Sequence, residues 1–163
     1  MLRKATIFVC GNGGSASISN HFACDHVKGV RTGTDVFPKV LSISTNIEII
    51  TAISNDIGYE NVFEFQLSSL ASAGDVLVAI SSSGASPNIL SALRWARDHA
   101  LTTIAMTGFG GGEAKVLADI PLHVDAHNYG IVEDVHQSMM HFLAQFLRQK
   151  TLLDRSQIGG IKF

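Results

Sequence analysis

Five short apolar runs of strand length alternate along this chain with longer segments of helical period, and that alternation restricts it to βαβ units around a parallel sheet. Strands are expected at 6–10, 39–43, 76–81, 102–107 and 120–124. Helices are expected at 15–28, 47–55, 60–72 and 87–99, with a helical turn at 113–117 and a long terminal helix at 132–150. A length of 163 residues, 46% of them hydrophobic, suits one domain with a substantial core. We assign 1–153 to that domain and 154–163 to a tail without clear period, an extension or an interface strand.

Charge and composition exclude several partners. With 12 Lys+Arg against 14 Asp+Glu and no basic run, the chain lacks the stripe that binds nucleic acid. Its start, MLRKATIFVCGNGG, resembles a signal peptide only superficially, because the apolar run is short and ends on GNGGS; it reads as a first strand. No apolar segment approaches the roughly 18 residues of a membrane span, so no membrane partner is expected. The two cysteines, Cys10 in an expected buried strand and Cys24 in an expected helix, do not form a disulfide framework, and a reducing cytoplasm fits best.

Open parallel sheets bind ligands where the carboxyl ends of strands lead into helix N-termini. Two such turns stand out, CGNGGS after the first strand and SSSGAS after the third. In each, glycine lets the backbone approach a ligand, and the next helix offers unpaired N–H groups and a positive dipole end. Ser81, Ser83 and Ser86, turned by Gly84, can surround a phosphate with hydroxyl donors, and Ser82 is expected to contribute through its backbone. The plainer alternative is that the serines cap a helix, Ser86 followed by Pro87 being a good N-cap. CGNGGS lacks both the lysine of a P-loop and the third glycine of the dinucleotide fingerprint, so no nucleotide cofactor is expected. Ser15 caps its helix, reaches the ligand, or does both. The GFGGG run at 108–112 is a flexible turn, read as a plain loop before a ligand loop.

Two helices carry chemistry at helical spacing. His21 and Asp25 lie one turn apart on the first, and Glu133, Gln137 and His141 follow at successive four-residue steps on the last. Such a set can bind zinc, act as an acid/base pair without metal, or be an ordinary solvated face. His26 and His136 fall off these stripes and read as surface residues or local bond donors; His99, His123 and His127 are given no role. Met139, Met140, Phe142 and Leu143 read as core or interface packing. Asp56, in SNDIGYE, points into the site or caps the next helix.

The strings GNGGSASISNHFACDHVKG, SNDIGYENVF, ISSSGASPNIL and NYGIVEDVHQSMMHF, in that order, resemble the sugar isomerase (SIS) domain family, and within it the phosphoheptose isomerases, over about residues 5–150. The resemblance implies a flavodoxin-like three-layer αβα sandwich with a five-stranded parallel sheet, and a homotetramer with sites at subunit interfaces. It implies that Ser15, Ser81, Ser82, Ser83 and Ser86 bind the sugar phosphate; Asn12, Gly13, Asp56 and Glu133 join the expected substrate-binding set. It places His21, Asp25, Glu133 and His141 at the ligand positions of zinc-containing members, one zinc per site, with Asp25 and His141 catalytic. Two residues depart from the family pattern: Asp25 stands for a Glu and must gain reach through a backbone shift, a metal or a water, while Glu133 stands for a Gln and adds a charge that favours a cation. A helical segment that precedes the first strand in the family is missing from the pattern, so either the start is truncated or assembly uses other surfaces, and weaker oligomerisation is expected.

The activity implied is conversion of sedoheptulose 7-phosphate to D-glycero-D-manno-heptose 7-phosphate through an enediolate, supplying heptose for lipopolysaccharide, capsule or related glycans. The alternatives are an isomerase of another phosphosugar, or a non-catalytic phosphosugar sensor or adaptor. A pure adaptor has no use for histidines and carboxylates on both helices.

Overall fold

The structure, a computed structural model, describes residues 5–158 and 160. Residues 1–4 of the basic start and part of the expected tail, 159 and 161–163, lie outside the described residues. Five strands, β1 (Thr6–Gly11), β2 (Lys39–Ser42), β3 (Val76–Ser81), β4 (Thr102–Thr107) and β5 (Ile120–His123), pair in parallel in the order β2-β1-β3-β4-β5. The helices are α1 (Gly14–Cys24), α2 (Ile47–Asp56), α3 (Glu64–Leu70), α4 (Pro87–Asp98), α5 (Gly112–Leu117) and α6 (Tyr129–Thr151).

The strands are apolar on both faces because helices cover both. Phe8, Cys10, Leu77, Ala79 and Ala105 pack with Ile53 of α2, Leu67 of α3, Ile89 and Leu93 of α4 and Ala114 of α5. On the opposite face Val9, Val78, Ile80 and Met106 pack with Ile18 and Phe22 of α1 and Met140 of α6. Three layers result. The chain leaves β1 into α1 on one face and leaves neighbouring β3 into α4 on the other, so the crevice at their carboxyl ends is a topological switch point. Both glycine- and serine-rich turns open there.

Three local expectations change. The helix expected over 60–72 is split into a 3-10 turn at Tyr59–Asn61 and the shorter α3, because Val62 and Phe63 are drawn into the core between them. Its far end stops early, where the Asp75 carboxylate takes the N–H groups of Ser72 and Thr6, both at 2.9 Å. The first helix widens at its end into a π-helical turn, Asp25–Gly29. Of the two readings of His26 and His136, bonding to nearby backbone holds and surface exposure does not: both are buried, His26 bonded to the Phe22 carbonyl at 2.9 Å and stacked on its ring, His136 to the Thr107 carbonyl at 3.2 Å. Burial holds both imidazoles below the ordinary histidine pKa. The described part of the tail forms a 3-10 turn, Arg155–Gln157, capped by Asp154.

Candidate active site

At the switch point a cleft of about 140 Å³ is lined by Asn12, Ser15, Ser81, Ser82, Ser83, Ser86, Tyr129 and Glu133, with Ile80 at its floor. Two side-chain amides tie its halves together. Asn12 Nδ2 donates to Asn88 Oδ1 and Asn88 Nδ2 to Asn12 Oδ1, each at 2.9 Å, and the Tyr59 hydroxyl donates to the same Asn12 oxygen. The serine turn is braced from behind: Gly84 has φ +64°, and a Cβ there would lie 1.9 Å from the Gly111 carbonyl oxygen. The GFGGG run therefore buttresses the serine turn, with Gly108 N–H donating to the Ser82 carbonyl at 2.8 Å and Ala114 N–H to that of Gly84 at 2.9 Å.

Two of the hydroxyls, those of Ser82 and Ser86, make no hydrogen bond among the described residues. Ser86 occupies the N-cap position of α4 but makes no capping bond, so the capping role expected of it is not performed. Ser82 is only 5% exposed, and its Oγ is one of few buried side-chain atoms without a hydrogen-bond partner among the described residues. An unpaired buried hydroxyl costs roughly 1–3 kcal/mol, a cost that a bound acceptor would relieve. Ser82 lines the cleft, and its carbonyl accepts from Gly108 N–H, so its backbone helps fix the turn. Glu133, whose charge would repel an anion, packs on the first turn of α1: a Cβ on Gly14 would meet its carboxylate at 2.5 Å. That helix end favours negative charge, leaving the serine-lined end of α4 for a second anion.

Farther along the same two helices lies a cluster of imidazoles and a carboxylate. His141 Nδ1 sits 2.8 Å from Asp25 Oδ2, and His21 Nε2 lies 3.4 Å from Asp25 Oδ1. The Gln137 amide nitrogen spans the other ring nitrogens, 2.7 Å from His21 Nδ1 and 3.1 Å from His141 Nε2. His21, Asp25 and His141 present ligand atoms within 4.8 Å of one another, a donor set that fits a divalent cation such as zinc. Glu133 is not in that group. It sits two helical turns from His141, about 12 Å along α6, and lines the cleft.

A family model described as SIS domain matches residues 1–108. The chain belongs to the SIS domain family. The phosphoheptose isomerase of Nitratidesulfovibrio vulgaris (strain DSM 19637 / Miyazaki F) is 41% identical over 145 residues, covering 89% of this chain and 69% of that protein. That of Trichlorobacter lovleyi is 39% identical over 143 residues, covering 88% of this chain and 72% of that protein. The solved phosphoheptose isomerase from Francisella tularensis superposes with a TM-score of 0.83 at 31% identity, covering 89% of this chain and 77% of the other.

Within this SIS domain the structure gathers Asn12, Ser15, the four serines of the second turn and Glu133 into one cleft, and His21, Asp25 and His141 into one cluster. Two expected substrate residues stand apart. Gly13 is the exposed N-cap of α1, and Asp56 ends α2, exposed and bonded by Asn55 Nδ2 at 2.7 Å, without lining the cleft or capping the next helix. Sequence reasoning missed Tyr129, Asn88 and Tyr59, which no periodic pattern marks. Gln137 lay on the named stripe but was given no role, because spacing alone does not say which polar residue turns toward the facing helix.

Proposed function

We propose that this chain is a phosphoheptose isomerase, converting sedoheptulose 7-phosphate to D-glycero-D-manno-heptose 7-phosphate. The observation that carries the reading is the 2.8 Å contact between His141 and Asp25 across α1 and α6, on helices whose other ends line a serine cleft with an unpaired buried hydroxyl. A cleft of 140 Å³ is below the roughly 300–1,000 Å³ that encloses a whole ligand, so it suits the phosphate alone. The sugar then extends along the helices toward Asp25.

Anchoring the phosphate fixes C1 and C2, which uses binding energy remote from the bonds that change. Asp25 takes the proton from C1 and the C2 carbonyl becomes an enediolate oxygen. Return of a proton to C2, with loss of one from O1 and gain of one at O2, completes an internal redox exchange that needs no external oxidant. His141 is the acid partner in these oxygen transfers, imidazole being the side chain that exchanges protons near neutrality. A zinc ion held by His21, Asp25 and His141 would supply Lewis-acid polarisation of the carbonyl. The assembly proposed is a homotetramer of single SIS domains, 1–153 with a tail at 154–163, acting in the cytoplasm with sites completed between subunits. The exposed Phe142 and Phe146, beside Leu122, Met139 and Leu143 on α6 and β5, support such burial.

Purified protein incubated with sedoheptulose 7-phosphate, with and without zinc, should yield the aldose, and sedimentation of the same sample should give four times the chain mass. His141→Ala should abolish turnover while phosphosugar affinity stays within about threefold, the phosphate contacts being elsewhere. Parental turnover in that variant removes His141 from the mechanism, and binding without turnover in the parent protein turns the reading to a sensor.

A further inference from the structure

The polar groups between α1 and α6 close into a ring. Asp25 faces both imidazoles, His141 Nδ1 at 2.8 Å and His21 Nε2 at 3.4 Å, and Gln137 closes the other side at 3.1 and 2.7 Å. A glutamine NH2 only donates, so the ring nitrogens facing it accept, and each neutral ring carries its proton on the nitrogen toward Asp25, whose carboxylate accepts from His141 at 2.8 Å. Nδ1 of His21 and Nε2 of His141 are then lone pairs. Only the NH2 of a glutamine, with two hydrogens on one nitrogen, can satisfy both; its carbonyl would set three acceptors against one another.

We propose that Gln137 is a positioning residue whose amide NH2 holds His21 and His141 in the tautomers that present their N–H groups to Asp25. The two rings differ in how much they depend on it. His141 has a short bond to Asp25 that fixes its tautomer independently. His21, whose side chain is 47% exposed and whose approach to Asp25 is longer, depends on Gln137. The same tautomers put N–H groups on the two ring nitrogens nearest Asp25, which a cation shared with Asp25 would need as lone pairs, so Gln137 sets the balance between a metal-free proton-handling array and a metal-loaded one. The inference rests on the isomerase reading for its catalytic consequence, but not for its geometry.

The test compares metal-free parent protein with Gln137→Leu, which removes the donor, and Gln137→Glu, which substitutes an acceptor. Histidine ring 15N spectra should show His21 as the Nε2–H tautomer in the parent, a mixture in Gln137→Leu and Nδ1–H in Gln137→Glu, with His141 holding Nδ1–H in the parent and in Gln137→Leu. Zinc titration by calorimetry should give about tenfold tighter binding to Gln137→Leu, equivalent to about 1.4 kcal/mol. Turnover of Gln137→Leu should fall about tenfold with KM within twofold, since substrate contacts are untouched. One unchanged His21 tautomer in all three proteins overturns the proposal. The predicted tautomer shifts in a protein that never turns over sedoheptulose 7-phosphate support the proposal and overturn the isomerase reading alone.

Discussion

Ser82 concentrates the logic of the cleft in one side chain. Its Oγ is buried without a partner among the described residues, so its solvation loss is uncompensated, and on the isomerase reading an anion supplies the partner. Ser82→Ala should therefore leave stability unchanged or raise it by up to about 1 kcal/mol, while raising KM for the phosphosugar about tenfold, hydrogen bonds to charged groups being worth about 1.5–3 kcal/mol. Denaturant unfolding and steady-state kinetics on one preparation check the opposite signs. A loss of stability with KM unchanged would make Ser82 a packing residue. Ser81 and Ser83 differ, since their hydroxyls already accept the N–H groups of Gly84 at 3.2 Å and Ala85 at 3.3 Å and so shape the turn as well as line it.

At the scale of elements, function rests on how turns and helices brace one another. The serine turn and the 108–112 loop meet backbone to backbone at Gly84, where any side chain would strike the Gly111 carbonyl in a left-handed conformation. Gly84→Ala should destabilise the protein by about 1–3 kcal/mol, and raise KM because the serines shift with the turn; thermal unfolding and kinetics read the two effects. The end of α1 shows a second such device. The helix widens into a π turn beginning at Asp25, whose carboxylate meets His141 Nδ1 at 2.8 Å.

Over the whole molecule, the buried histidines set the pH range of stability. His26 and His136 have folded pKa values lowered mainly by burial, so below the ordinary histidine value of about 6.5 the unfolded chain binds protons that the folded chain refuses. His123 adds to the effect at His136. Their contribution is full above that pH and is lost as pH falls from it toward the folded values, at up to about 1.4 kcal/mol per pH unit for each proton. Asp119 is held low first by the Thr103 N–H and then by its hydroxyl, and its contribution disappears only at more acid pH, as its folded value is crossed. Denaturant midpoints from pH 8 down to pH 5 should fall, and replacing His136 with a neutral, similarly sized side chain should flatten the curve. A flat curve in the parent protein would mean that both rings take up protons in place.

The alternation of strand-length and helix-length segments by itself determined the parallel sheet, because only strands covered on both faces are apolar throughout and only crossovers join them in parallel. The two turns were legible for a similar reason: glycines and hydroxyls at strand ends are local signals, and Ser81 to Ser86 lie within one of them. What the tertiary structure decided depends on which surfaces face each other. It made Ser82 an orphan hydroxyl, drew His26 and His136 inward, set Glu133 against Gly14 of another helix, and turned Gln137 toward two histidines, one of them 116 positions away. Sequence spacing reports neighbours along one helix; contact across two helices depends on their packing, which emerges only when the whole core is assembled.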